Sequence, residues 1–290
     1  MPPSPVVLIT GCSSGIGRSL VLEGLSSGVR VIATARRLDS IQDLHEKGAQ
    51  ILSLDVTAPP ADLKEFIKTA IDIHGQIDIL INNAGYFLGG AIEENTNEEV
   101  RGQFDTNFFG VINLTNALLP HFRQRRMGTI VNMSSQGAFL SISGAGIYCA
   151  SKAALDSISE VWAKELAPFN IRCMTVNLGA FRTAVASGSN FKAPANGEIE
   201  GYNAAHDFLR MFAERSGQEQ GDSNKAARRL VDLVSTDKPL PVRLPLGEDS
   251  VVNAGRAWSR LEKEWQEVQE LGTGTNIDGL ELDDNRPAQG

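Results

Sequence analysis

Short apolar runs alternate with helical patterns along most of this chain, and that alternation leaves few folds open. Runs at 5–10, 30–35, 50–54, 77–81, 129–133 and 171–177 are rich in apolar and β-branched residues and read as strands. Between them, apolar residues recur at helical spacing. Leu20, Val21, Leu22 and Leu25 form one such face, and Leu63, Phe66, Ile67, Ala70 and Ile71 another within 61–74. Further helices are expected at 38–47, 97–126 (in two pieces, with Pro120 late in it), 147–167, 203–214, 223–236 and 249–271, and a seventh strand at 240–244. The strands are continuously apolar rather than alternating, as they must be when helices cover both faces of a parallel sheet. The expected fold is therefore α/β, a doubly wound parallel sheet of about seven strands with helices on both faces and right-handed crossovers.

The first strand runs into Thr10-Gly11-Cys12-Ser13-Ser14-Gly15-Ile16-Gly17, and a helix follows. A backbone that turns sharply and then offers free N–H groups at a helix start can approach a pyrophosphate closely, provided side chains do not obstruct it. The spacing is Gly-x-x-x-Gly-x-Gly rather than the commoner Gly-x-Gly-x-x-Gly. A turn of this composition can also bind nothing, so alone it is a moderately specific sign of a Rossmann-like dinucleotide site. The end of the second strand bears on the cofactor. NAD-selecting sites usually place an acid there for the ribose 2′-hydroxyl. Here the strand ends Ala33-Thr34-Ala35-Arg36-Arg37, and Arg36 lies nineteen residues beyond Gly17. A guanidinium there suits a 2′-phosphate and favours NADP(H). Asp39 is the rival, but it follows the strand end, where aspartate commonly starts a helix.

Tyr148 and Lys152 are four residues apart, so in a helix they share a face. An ammonium near a phenol favours the phenolate and lowers its pKa from ~10. Such a pair can give and take a proton near neutral pH. On its own the pair reads more simply as a packing tyrosine beside a solvated lysine. The residues around it decide the matter.

Taken in order, the glycine turn, Asp55-Val56, Asn82-Asn83-Ala84-Gly85, Asn107, Ser134-Ser135, Tyr148-Cys149-Ala150-Ser151-Lys152 and Asn177-Leu178-Gly179 resemble the short-chain dehydrogenases/reductases. The look is closest to the branch with steroid and retinol dehydrogenases, and the likeness is strong from 5 to 183. The resemblance implies that Gly11, Ser13, Ser14, Gly15, Ile16 and Gly17 bind the cofactor. It implies that Asp55, with Val56, meets the adenine ring, that the Asn83-Ala84-Gly85 backbone lies along the adenosine ribose, and that Thr183 contacts the nicotinamide carboxamide. Ser135, thirteen residues before the tyrosine, is implied to hold the substrate oxygen in preference to Ser134. Tyr148 would exchange the proton, and Lys152 would hold the nicotinamide ribose and lower the tyrosine pKa. Asn107 would position a water in a relay to the lysine. The family usually has Asn-Pro-Gly where this chain has Asn177-Leu178-Gly179, and leucine keeps an N–H that proline lacks.

The implied function is an NADP(H)-dependent oxidoreductase interconverting a ketone and a secondary alcohol by hydride transfer, a carbonyl reductase on an apolar small molecule. Phe139, Leu140, Ile142, Phe181, Phe191, Phe208 and Phe212 lie in segments suited to line its pocket. Two other readings use the same sheet. An epimerase or dehydratase would usually bring a Thr-Gly-x-x-Gly-x-x-Gly turn and a longer substrate domain. A non-catalytic dinucleotide sensor would be marked by loss of the tyrosine or lysine, and both are present.

A length of 290 residues fits one large α/β domain as well as two small ones; the strand–helix alternation and the resemblance favour one Rossmann-like domain over 1–290, with a substrate lid inserted at 184–221 and a flexible tail at 272–290. A net charge of −8 with no basic face argues against nucleic acid as a partner. No stretch is long and apolar enough for a membrane span. Three scattered cysteines offer neither metal-ligand spacing nor a disulfide framework, so no metal is expected, and a reducing, cytoplasmic setting is. A homo-oligomer is expected by resemblance, through the helices that carry Asn107 and Tyr148. Trp258, Leu261, Trp265 and Val268 form one stripe of the last helix, expected to pack on the sheet or on a partner subunit.

Overall fold

The structure, a computed structural model, describes residues 4–183, 190–236 and 238–277. Its first half comprises β1 (Val6–Ile9), α1 (Gly15–Ser26), β2 (Arg30–Ala35), α2 (Gln42–Glu46), β3 (Gln50–Ser53), α3 (Pro60–His74), β4 (Ile79–Asn82), β5 (Phe87–Leu88), α4 (Asn97–Phe104) and α5 (Gly110–Arg125). The second half comprises β6 (Gly128–Ser135), α6 (Gly146–Glu165), β7 (Ile171–Leu178), β8 (Phe191–Lys192), α7 (Asn203–Glu214), α8 (Ser223–Val234), β9 (Arg243–Leu246) and α9 (Glu248–Val268).

Seven strands form one parallel sheet in the order β3-β2-β1-β4-β6-β7-β9. Alternate side chains of the same strands feed opposite cores. Val7 and Ile9 pack with Leu20 of α1 and Leu230 of α8, while Val6 and Leu8 pack with Leu63 of α3, Leu114 of α5 and Leu155 of α6. This is the helix-covered parallel sheet that the apolar runs required. Chain order reverses between β1 and β4, which opens a crevice at their carboxyl ends, the place where such sheets bind ligands.

The differences from expectation have local causes. The seventh strand is β9, shifted from 240–244 because Pro241 has no N–H to give to a ladder. Pro245 is tolerated because β9 is an edge strand. The 38–47 stretch begins as a 3₁₀ turn (Leu38–Ile41) before α2. The 97–126 stretch is in two pieces, α4 and α5, joined by a π-helical turn, Asp105–Phe109, and α5 accommodates Pro120. A second small sheet pairs β5 with β8 and ties 191–192 to the segment after β4. The helix α7 has the bounds the sequence suggested. The stripe on α9 does not pack on the sheet, Trp258 being 52% and Trp265 60% exposed, which leaves a partner subunit as its expected cover. Residues 184–189 of the expected lid and 278–290 of the expected tail lie outside the described residues. Among the described residues no helix is long and apolar enough to cross a membrane.

Candidate active site

A cavity of about 900 Å³ lies along the carboxyl ends of the central strands. The glycine turn forms one end. Gly11 adopts φ +71°, which a side chain rarely tolerates, and a Cβ there would stand 2.8 Å from Ala84 Cα. A Cβ on Gly17 would land on the Asn83 side chain and the Gly11 carbonyl. The turn is braced from β4. Thr10 Oγ1 accepts from the backbone N–H groups of Asn83 and Ala84, both at 2.9 Å. Asn83 Nδ2 donates to the carbonyls of Thr10 and Gly11 at 2.9 and 3.0 Å. Ser14 sits at the N-cap of α1, yet its hydroxyl does not cap the helix and accepts instead from Asn190 Nδ2 at 3.1 Å. The first-turn amides of α1 thus face the groove free of a side-chain cap, in the setting that suits a phosphate. Gly11, Ser13, Ser14, Gly15, Ile16 and Gly17 all line the cavity, as do Asn83, Ala84 and Gly85.

Arg36 lines the same groove from the end of β2, whereas Asp39 falls in the first turn of the following 3₁₀ segment and is not part of the wall. Asp55 and Val56 line it too. Asp55 Oδ1 is engaged locally, accepting from Thr57 N at 2.9 Å and Thr57 Oγ1 at 2.7 Å. That is the usual self-capping of an aspartate after a strand.

At the opposite end α6 presents Tyr148 and Lys152. Ser135 terminates β6 and caps the 3₁₀ turn after it, its Oγ accepting from Gly137 N at 3.1 Å. A Cβ on Gly137 would stand 3.4 Å from Tyr148 Cε1 and 3.5 Å from Ser135 Oγ, so serine and phenol converge over that glycine. Ser134 points the other way, is buried, and donates to the Lys152 carbonyl at 3.4 Å. Thr183 also lines the wall, beside Gly15. Leu178 continues β7 into register with Leu246 of β9, a ladder position in which its extra N–H does no harm.

Lys152 is 6% exposed, and its ammonium donates to Met133 O at 2.8 Å. Burial pulls it down to about 8, against the opposing pull of Asp156. Asp156, one turn further along α6, was not foreseen, although the spacing Tyr148, Lys152, Asp156 places all three on one face. It is wholly buried, accepts from Asn177 Nδ2 at 2.7 Å and lies 3.3 Å from Arg243. Burial raises its pKa. The expectation that Lys152 depresses Tyr148 does not hold here. Burial lifts the phenol to about 12, and the Ser135 hydrogen bond opposes this only in part. The lysine nitrogen is 5.9 Å from the ring centroid and is itself weakened as a cation by desolvation.

A pH dependence follows. The native lysine releases its proton near 8 while the unfolded one keeps it to about 10.5. Between those values the unfolded chain binds more protons, so stability contributed at this position rises with pH. Denaturant unfolding of the wild type and of Lys152→Met should therefore show the wild type gaining on the variant from about pH 8 to 10.5. A constant difference across that window would refute the shift.

Asn107 is buried behind the wall rather than in it. It lies in the π-helical turn, and such turns often mark functional positions. Its amide accepts from Tyr86 N and donates to Tyr86 O, both at 3.1 Å, and reaches Ser151 Oγ at 3.4 Å. Gly85 is squeezed between Asn107 and Lys152, a Cβ there being 3.0 Å from Asn107 Oδ1 and 3.6 Å from Lys152 Nζ.

The remaining wall combines aromatic and aliphatic side chains with the polar Gln136, Lys192, Arg215, Glu219 and Asn253. Phe87, Leu140, Ile142, Phe181, Phe208 and Phe212 line it, joined by Met211. Phe139 and Phe191 do not; Phe191 stacks behind Phe87 at 5.7 Å. Among the described residues no group of three or more His, Cys, Asp or Glu is arranged to hold a metal ion.

A glycine turn at the switch point of a helix-covered parallel sheet is a setting in which dinucleotides bind, and comparison with known proteins identifies the family. The short chain dehydrogenase family profile matches residues 5–193, and the chain belongs to that family. It is 35% identical over 244 residues to a 3-ketodihydrosphingosine reductase of Bacteroides thetaiotaomicron, covering 83% of this chain and 87% of that one. It is 36% identical over 188 residues to an NADPH-dependent 1-acyldihydroxyacetone phosphate reductase of Schizosaccharomyces pombe, covering 64% of this chain and 63% of that one. The crystal structure of a short-chain dehydrogenase from Streptomyces avermitilis superposes with a TM-score of 0.86 at 35% identity, over 96% of this chain and all of that one. The chain is accordingly an oxidoreductase of the Rossmann fold whose family binds a nicotinamide dinucleotide and acts on small molecules.

Proposed function

We propose that this protein reduces an apolar ketone to a secondary alcohol with NADPH. The observation that carries this reading is the convergence of Ser135 and Tyr148 at an aromatic-lined end of the groove whose other end is the glycine turn and Arg36. The glycine turn and the α1 amides take the pyrophosphate, Arg36 the 2′-phosphate, and Lys152 the nicotinamide ribose. The bound cofactor supplies the hydride. Ser135 and Tyr148 hydrogen-bond the carbonyl oxygen, and Tyr148 passes its proton to the alkoxide that forms. A phenol raised to about 12 is fully protonated at neutral pH, the state a proton donor needs, and an alkoxide is basic enough to take that proton. Asn107 holds the π turn against Gly85 and so keeps Lys152 and the groove floor in register. The segment 190–221 acts as a lid over the substrate and supplies Phe208, Met211 and Phe212 to the wall.

The test is NADPH oxidation against ketones of graded size. Aryl and long-chain ketones are expected to give kcat/KM values at least ~10-fold above an acetone-sized ketone, since each buried methylene adds to binding. Absence of NADPH oxidation across the whole panel would overturn the reading.

A further inference from the structure

The segment 190–214 is fastened to the body by three glutamates of the loop and helix after β5. Glu99 Oε1 accepts from Ala195 N at 3.0 Å, Glu93 Oε2 from the Tyr202 hydroxyl at 2.5 Å, and Glu94 Oε1 from Ile199 N at 2.8 Å. The middle one differs from its neighbours. Glu94 is 0% exposed, and its Oε1 also meets His206 Nε2 of α7 at 2.6 Å. Its other oxygen accepts from Ala91 N at 2.7 Å. His206 is itself 5% exposed, with Glu198 3.7 Å from its Nδ1. A carboxylate with no access to water is tolerated only when its lone pairs are filled. Here one filling donor comes from the body and two come from the segment, so the carboxylate is satisfied only while the segment is docked.

The backbone is built to let that docking come close. A Cβ on Gly144 would stand 2.7 Å from the Ala205 carbonyl oxygen, and one on Gly90 2.9 Å from Pro194. From His206 the helix leads in under two turns to Phe212. Phe212 lies 5.1 Å from Phe87, and Phe87 lies 4.9 Å from Tyr148. A run of ring contacts therefore connects α7, the helix that carries His206, to the phenol.

We propose that Glu94 and His206 form a buried clamp that positions the aromatic wall of the substrate pocket and thereby sets its affinity for bulky apolar ketones. Both are positioning residues, since neither lines the cavity. The kinetic side of this inference rests on the ketone-reductase reading above; the structural side does not.

The experiment pairs His206→Leu, which removes the donor to Glu94, with His206→Gln, whose amide can donate from nearly the same place as Nε2. Amide hydrogen exchange is followed over 190–214 and over β1 and β2, with NADPH affinity measured by nicotinamide fluorescence and kinetics on a small and a bulky ketone. For His206→Leu, exchange in 190–214 should speed up by ~10-fold or more with β1 and β2 unchanged. KM for the bulky ketone should rise ~10-fold, while kcat/KM for the small ketone and NADPH affinity stay near wild type. His206→Gln should restore both. Unchanged exchange, faster exchange spread equally through the sheet, parallel loss on small and bulky ketones, or failure of Gln to rescue would each overturn the clamp. If the wild type reduces no ketone, the functional reading fails, and the exchange comparison alone supports or overturns the clamp.

Discussion

Replacing Tyr148 with Phe is expected to lower kcat for ketone reduction by ~10²–10⁴-fold while leaving NADPH affinity essentially unchanged. The substitution keeps the ring, and with it the 4.9 Å contact to Phe87, so the aromatic wall stays filled. What goes is one oxygen, the proposed source of the proton for the alkoxide. Ser135 would remain to hold the carbonyl, but a serine hydroxyl has no comparable acidity to give. Loss of the Ser135–Tyr148 hydrogen bond should cost stability only ~1 kcal/mol, too little to confuse with unfolding. Single-turnover measurement with NADPH prebound separates chemistry from binding. Near-normal turnover by Tyr148→Phe would remove this residue from the reaction, and with it the proposed mechanism.

Changing Arg36 to Asp is expected to reverse cofactor preference, weakening NADPH by ~10–100-fold and strengthening NADH relative to it. A charge-assisted bond to a phosphate contributes ~1.5–3 kcal/mol, and the new carboxylate adds repulsion toward a 2′-phosphate while offering an acceptor to a 2′-hydroxyl. Arg36 is exposed at the end of β2, with its carbonyl accepting from Ser53 Oγ at 3.1 Å, so the change touches no core packing. The wild-type preference should also weaken with added salt, as a solvent-facing charge pair does. Equal NADPH and NADH affinities in the wild type, or a preference that Arg36→Asp leaves untouched, would rule out Arg36 as the selector.

What the sequence made legible was whatever local pattern decides. Continuous apolar runs can only be strands covered on both sides, so the sheet was readable apart from its edge, where Pro241 displaced β9. The glycine turn and the Tyr148–Lys152 spacing each lie within one stretch, and the structure brings both to the same groove. The features that escaped depend on partners distant in the chain. Nothing near Glu94 announces His206, which lies 112 residues later, and β5 and β8 are too short to show a period. The π turn at Asn107 is a shift of hydrogen-bond register, which composition does not encode. The sign of the Tyr148 shift escaped for a different reason. Spacing reveals that a cation is near, but only the packed structure reveals how much water both groups have lost, and here burial outweighs the neighbour.

The unpacked stripe on α9 has a practical consequence for spectroscopy. Of the chain's three tryptophans, Trp258 and Trp265 are bathed in solvent and only Trp162, 6% exposed, reports from the interior. Intrinsic emission will therefore be dominated by the two indoles of the exposed α9 stripe, neither of which lines the groove. It will register events on that helix, such as a docking protein or a change of oligomer, more readily than ligands entering the cleft.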